Sequence, residues 1–157
     1  MPRAEDGKDG FVLAVDPGGH TGVAWLAGEQ FGSGVIDGGR FEFHRWFTNV
    51  VNTIGSPIAI VCENFIVTAS TARKTAQPDP YLIIGWLELW SHQHGVPFTL
   101  QTPSTGKGFG TDAKLKHMGW WRTGNGGHDN DAARHLLTYL ARERNPYIEA
   151  RLKEMEP

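Results

Sequence analysis

The stretch VLAVDPGGHTGVAWLA, residues 12–27, decides the fold of this 157-residue chain. An apolar run from Phe11 ends at Asp16 before a Pro-Gly-Gly turn, and a second apolar run extends from Thr21 to Ala27. Short apolar runs between turn residues are typical of buried strands, so we expect a hairpin here. If Asp16 is more than an ordinary turn residue, its carboxylate lies at a sheet edge that a ligand can approach.

Strand and helix patterns follow each other along the rest of the chain. Apolar residues from Phe41 to Ile54 recur in steps of three and one, which predicts a helix with one apolar face. The predicted strands are Phe11–Asp16, Thr21–Ala27, Phe31–Ile36, Ile58–Cys62 and Phe98–Gln101. The predicted helices are Phe41–Ile54, Pro80–His94, Thr111–Met118 and Asp129–Arg144, with a polar loop from Thr68 to Asp79, a Gly-rich segment over 102–127 and a fraying helix at the end. We therefore predict an α/β fold, a mixed sheet with helices on both faces.

Composition limits the classes of protein to which the chain can belong. Its hydrophobic content of 39% and its length fit one domain over residues 11–157, after a flexible polar tail over 1–10. The single cysteine excludes a disulfide within the chain and indicates a reducing, cytoplasmic compartment. No segment approaches the ~20 apolar residues that span a membrane. The net charge of −2 means that any surface for nucleic acid is a local one.

Glu63 is the second strand-end carboxylate, since it follows the apolar run IAIVC. If its strand lies parallel to and beside the strand of Asp16, the two carboxylates converge. Two charges so close repel each other unless a cation or a shared proton compensates them. The alternative is that each carboxylate is an ordinary surface group at the end of its strand.

The segment HDNDA, residues 128–132, opens a helix and adds further candidate ligands. His128 and Asp131 are three residues apart and share one helix face. We favour Asp131 as a ligand and Asp129 as a helix cap or a solvent-facing group. His135 is interpreted as structural or DNA-facing and not as a ligand. With the two strand-end carboxylates, these residues form a set that suits Mg²⁺ or Mn²⁺, and two such ions support phosphodiester cleavage.

Positive charges gather in two segments of the chain. Residues 103–127 carry four basic residues against one acidic residue, and a polar loop adds two more. Such patches favour binding to DNA phosphates. The candidate DNA-binding residues are Arg73, Lys74, Lys107, Lys114, Lys116 and Arg122.

Aromatic residues accompany these charges and have two interpretations. Phe109, Trp120 and Trp121 could stack on unpaired bases, but for the two tryptophans we favour a place in the core. The stripe of Leu82, Trp86, Leu89 and Trp90 is interpreted as core or as the seam of a dimer.

Four segments resemble one known family, the RuvC-like Holliday-junction resolvases of the RNase H-like superfamily. They are VLAVDPGGHTGVAW, IAIVCENF, QTPSTGK and GGHDNDAARHLL, which follow the family's order, and DAARHLL is similar to phage-encoded members in particular. The resemblance implies an RNase H-like five-stranded sheet with the Asp16 strand beside the Glu63 strand. It also implies a homodimeric, metal-dependent endonuclease that cleaves branched DNA in the cytoplasm, the host's if the chain is phage-encoded.

The resemblance also implies roles for individual residues. Asp16, Glu63, His128 and Asp131 bind the catalytic metals, although many members carry Asp where His128 stands. Lys107 contacts a phosphate at or beside the cleavage site, although its neighbours depart from the family's usual pattern. A helix like Pro80–His94 forms the dimer interface.

Other functions compete with this one. A related nuclease acting on flaps, forks or RNA fits the same residues, and so does a non-catalytic nucleic-acid-binding module. The segment DPGGHTG also resembles the phosphate loop of actin-like and sugar kinases, but those proteins need a second domain and a second such loop.

Overall fold

The computed structural model describes residues 10–66, 69 and 78–157. Within them the strands are β1 (Val12–Asp16), β2 (His20–Ala27), β3 (Gln30–Asp37), β4 (Ala59–Glu63) and β5 (Phe98–Gln101). The helices are α1 (Gly39–Ile54), α2 (Asp79–His94), α3 (Pro103–Phe109), α4 (Asp112–Met118), α5 (His128–Arg142) and α6 (Pro146–Lys153). Residues 1–9 of the predicted tail over 1–10 and the predicted DNA contacts Arg73 and Lys74 lie outside the described residues.

One mixed five-stranded sheet, in the order β3-β2-β1-β4-β5, organises the described part of the chain. The pairing of β1 is antiparallel with β2 and parallel with β4, with Val15 opposite Cys62. Asp16 and Glu63 follow these two residues, so their strands end side by side. Strand β5 pairs parallel with β4 and places Gln101 opposite Glu63. The expected parallel neighbours are confirmed, and three strand-end side chains share one sheet edge.

Helices cover both faces of the sheet, as predicted. Leu13 and Val15 face a core shared with α1 and α2, while Val12 and Ala14 face the core under α4, α5 and α6. The alternation follows from the two-residue period of a strand. Burial on both faces explains why β1 and β4 read as continuous apolar runs.

Close packing brings α5 onto the sheet at Gly22. A Cβ atom there would overlap the carbonyl group of His128 in the first turn of α5. Only a residue without a side chain lets the start of the helix approach β2 this closely. Gly22 therefore fixes the height of His128 and Asp131 above the strand ends.

Two short helices differ from the sequence prediction. Helix α3 lies in the segment interpreted as a Gly-rich loop. The Thr102 hydroxyl accepts a hydrogen bond from the Thr105 amide at 3.3 Å, and Pro103 occupies the first helical position. A cap and a proline at this position favour helix entry despite the two glycines that follow. Near the end of the chain, Asn145 caps α6 where a fraying helix was expected.

Among residues 10–66 and 78–157, no helix is long and apolar enough to cross a membrane. The two tryptophans that follow α4 contribute to the core, as favoured above. Trp120 is 2% exposed and stacks on Phe31 with ring centroids 4.4 Å apart, so it does not stack on bases. Trp121 is half-buried against the same core.

Candidate active site

A cleft of about 680 Å³ opens at the edge of the sheet where β1 and β4 end. Its walls include Asp16 and Glu63 from the strand ends and His128 and Asp131 from the first turn of α5. The structure thus brings together four residues that are spread over 116 positions of the sequence. The Pro-Gly-Gly turn after β1 and the glycines before α1 form the other side of the cleft.

Hydrogen bonds within the turn after β1 set the shape of that wall. The Thr21 hydroxyl donates to the Gly18 carbonyl at 3.0 Å, and the Gly18 amide donates back to the hydroxyl at 3.3 Å. The Gly39 amide donates to the Gly19 carbonyl at 3.0 Å, which ties the start of α1 to the turn. A glycine-rich turn braced in this way keeps bulk away from Asp16 while remaining fixed in position.

Asp16 is the most deeply placed of the cleft carboxylates, with 13% of its side chain exposed. Its pKa is raised from 3.8 to about 6, mainly by burial; the hydrogen bond from His128 opposes the rise, and the nearby charges of Glu63 and Asp131 add to it. The Nδ1 atom of His128 lies 3.3 Å from Asp16 Oδ2. This hydrogen bond is the main reason that the pKa of His128 is raised. The cleft therefore brings negative charges together, and His128 compensates them only in part.

The other two predicted carboxylate ligands, Glu63 and Asp131, each contact a basic side chain of α5. Glu63 Oε2 lies 2.7 Å from Nε2 of His135. Asp131 Oδ1 lies 3.4 Å from Nε of Arg134, whose guanidinium also donates to the Gly110 carbonyl at 2.6 Å. These contacts reduce the repulsion among the carboxylates in the absence of a cation.

The four predicted ligands in the cleft fit a hard divalent cation, since the carboxylates of Asp16, Glu63 and Asp131 and the imidazole of His128 suit Mg²⁺ or Mn²⁺. Across the described parts of the chain, however, no three His, Cys, Asp or Glu side chains converge as a group that could hold an ion. In the described structure, the Glu63 and Asp131 side chains contact His135 and Arg134. A cation would have to draw them from these partners.

Asp129 behaves differently from the expectation of a cap or a solvent-facing group. It is 1% exposed, and its Oδ2 accepts a hydrogen bond from Asn125 Nδ2 at 2.8 Å. The cap position belongs to Gly127, which has a left-handed φ of 88° and no side chain to offer. Asp129 instead ties the glycine-rich loop to the helix, and Asp131 is the acidic residue of this turn that lines the cleft.

The predicted DNA-binding residues of segment 103–127 lie on α3, α4 and the loop after them. Lys107 and Lys116 are exposed. The Lys114 amine lies 3.6 Å from the centre of the Phe109 ring and donates to the Phe109 carbonyl, so it also joins α3 to α4. The Arg122 guanidinium donates to the carbonyls of the preceding loop. Lys107 is outside the set of residues that line the cleft.

Sequence reasoning missed several residues that the fold brings to this site. Asp79, at the start of α2, lines the cleft and accepts hydrogen bonds from the Arg40 amide and guanidinium at 3.0 and 2.9 Å. His20 stands beside His128, with ring centroids 5.9 Å apart. Gln101 and Arg134 lie behind the carboxylates. Only Arg134 carried a signal in the sequence, its three-residue distance from Asp131 on one helix.

Comparison with solved structures identifies the fold. The structure of RuvC from Thermus thermophilus has a TM-score of 0.62 and 18% identity, over 85% of this chain and 96% of that chain. A T. thermophilus RuvC in complex with a Holliday junction substrate has a TM-score of 0.58 and 20% identity, over 85% and 95% of the two chains. No family model and no curated protein sequence matches the chain. The chain therefore has an RNase H-like α/β fold of the kind seen in RuvC.

Proposed function

We propose that this chain is a divalent-cation-dependent endonuclease that hydrolyses phosphodiester bonds in branched DNA, with the four-way junction as its substrate. The observation that carries the proposal is that Asp16, Glu63, His128 and Asp131 line one cleft. The fold supports it, because a RuvC of similar fold was solved with a Holliday junction substrate. In enzyme terms, this is a crossover junction endodeoxyribonuclease.

Asp16 is the central ligand in this proposal. Its carboxylate is the most buried, and the charges of both Glu63 and Asp131 act on it, so a cation beside it relieves the largest electrostatic penalty. Glu63, Asp131 and His128 would hold the cations together with Asp16. Bound Mg²⁺ or Mn²⁺ would supply the positive charge that activates water and stabilises the leaving oxygen in phosphodiester cleavage.

The open cleft and its surroundings suit a polymeric substrate. The exposed Lys107 and Lys116 offer charges to DNA phosphates, and we assign Lys107, which does not line the cleft, a contact with a phosphate at or beside the cleaved bond. Lys114 and Arg122 contribute charge while they hold α3, α4 and the following loop together. Arg73 and Lys74, outside the described residues, stay predicted DNA contacts from the sequence alone.

We further propose that the protein acts as a homodimer through α2. Leu82 and Leu89 are 46% and 56% exposed on the outer face of this helix. Trp86 and Trp90 pack inward against Phe47, with ring centroids 5.2 and 4.8 Å apart. A two-fold axis through α2 gives two clefts, which matches the two cuts that a symmetric four-way junction needs.

A cleavage assay with purified protein tests the function. The protein is incubated with Mg²⁺, Mn²⁺ or EDTA and with duplex, flap, fork and four-way DNA, and with the matching RNA. We expect cation-dependent cleavage of the four-way junction above the other substrates, and none by the Asp16→Asn variant, which still binds the junction. Preferred cleavage of flaps, forks or RNA would assign the related activity. Junction binding without cleavage in any cation would leave a non-catalytic module.

A further inference from the structure

His135 lies behind the cleft, in contact with one of its carboxylates. It follows Asp131 by four residues on α5 and therefore shares its side of the helix. Its side chain is 1% exposed, and its Nε2 atom lies 2.7 Å from Oε2 of Glu63. A ring buried to this extent does not reach DNA, so of the two sequence-based interpretations the structural one is confirmed.

Gln101 holds the other side of the same ring. Its Oε1 atom lies 2.8 Å from Nδ1 of His135, and its side chain is 4% exposed at the end of β5. Backbone pairing fixes Gln101 beside Glu63, because the Asn64 amide donates to the Gln101 carbonyl at 2.8 Å. Nε2 of His135 is placed to donate a hydrogen bond to Glu63, because a carboxylate oxygen is an acceptor.

Helix α3 covers the face of the His135 ring at Gly106. A Cβ atom at Gly106 would lie 2.7 Å from Cε1 of the ring and 2.9 Å from each ring nitrogen. Contacts this short are excluded for real side chains, so a glycine is needed to leave room for the ring. The imidazole is thus confined by Glu63, Gln101 and Gly106 to a single orientation.

We infer that His135 and Gln101 form a positioning pair that fixes Glu63 for cation binding. The inference rests on the proposed function, because it assigns a task to the cleft carboxylate. Without the donated N–H, Glu63 can adopt several side-chain rotamers, and ordering it around a cation then costs conformational entropy. Removing a residue that hydrogen-bonds to a metal ligand typically lowers metal affinity or activity by about 10- to 100-fold.

Three variants of the intact protein test the inference by calorimetric titration with Mn²⁺. His135→Leu keeps a similar volume and removes the donor, whereas His135→Gln keeps an N–H group at the end of the side chain. His117→Leu is the matched control, because His117 Nε2 lies 2.8 Å from the Arg151 carbonyl on the far side of α4. We expect a Kd for Mn²⁺ raised about 10- to 100-fold in His135→Leu, largely restored in His135→Gln, and unchanged in the control.

A second measurement does not depend on the variants folding. In wild-type protein with ¹⁵N-labelled histidine and no metal, the Nε2–H proton of His135 should give an NMR signal protected from exchange with solvent, which Glu63→Gln shifts. Absence of this signal, or an unchanged Kd in a folded His135→Leu, overturns the inference. A wild-type chain that binds Mn²⁺ but cleaves no nucleic acid overturns the proposed function alone. A wild-type chain that binds no divalent cation overturns both.

Discussion

Replacing Asp16 by Asn should stabilise the metal-free protein while it abolishes cleavage. In the folded protein the pKa of Asp16 is about 6, against an ordinary value of 3.8, so ionising it costs roughly two pKa units. At 1.36 kcal/mol per unit this is about 3 kcal/mol, and only 13% of the side chain is exposed to screen it. Asparagine has the same shape, still accepts the hydrogen bond from His128 and carries no charge.

The effect must depend on pH with a definite sign. Because the folded state holds its proton up to about pH 6 and the unfolded chain releases it near 3.8, the folded state binds more protons between these values. The contribution of Asp16 to stability is therefore fully present below about pH 3.8 and is lost as pH rises through 6. The Asn variant does not lose stability in this way. The difference in free energy of unfolding between the two proteins should therefore grow from near zero at pH 4 to its maximum at pH 7.

Urea unfolding in EDTA at pH 4, 5, 6 and 7 measures this difference. Mn²⁺ at 100 times its Kd should then raise the free energy of unfolding of the wild type by about 2.7 kcal/mol and leave that of the variant unchanged. A variant that is no more stable than the wild type at pH 7, or a difference that does not change between pH 4 and pH 7, would refute the electrostatic account of the cleft.

Three further changes test the packing, the dimer and the DNA surface. Gly22→Ala should destabilise the protein by on the order of 1–3 kcal/mol in urea unfolding and impair Mn²⁺ binding, because the added methyl group meets the backbone of α5. Gly34→Ala, with open space around its Cβ, should stay within about 0.5 kcal/mol of wild type. Leu89→Glu should shift the protein from dimer to monomer in sedimentation while it keeps the circular dichroism spectrum of the folded wild type, and a wild type that sediments as a monomer would contradict the proposed seam. Lys107→Ala should weaken junction binding and reduce the slope of its salt dependence by about one phosphate contact, whereas Lys107→Arg should change neither. Equal binding by the wild type and both variants would show that Lys107 does not contact the DNA.

The strand pattern and the main candidate residues were predictable because they depend on local sequence. Short apolar runs ending in Asp16 and Glu63 specify strands that are buried on both faces, and the parallel pairing then brings the two carboxylates to one edge. The spacing of His128 and Asp131 places both on one side of a helix whatever that helix packs against. Only the pairing of the two strands is a long-range contact, and the resemblance to the RuvC-like resolvases implied it.

The remaining parts depend on contacts that the sequence does not encode locally. Gln101 carries no pattern of its own and becomes important only because β5 pairs with β4 in one register. Asp129 was expected at a cap or in solvent, but the left-handed Gly127 begins the helix and turns Asp129 inward to Asn125. Helix α3 was not predicted, because its two glycines disfavour a helix, although Thr102 caps its first turn.

Helix α5 carries His128, Asp131 and His135, whose ring contacts Glu63. Because the three residues share one helix, a tilt or a translation of α5 moves all of them together. A ligand or a partner protein that separated α5 from Gly22 would therefore displace His128, Asp131 and His135 together, without contacting Asp16 or Glu63 on the strands.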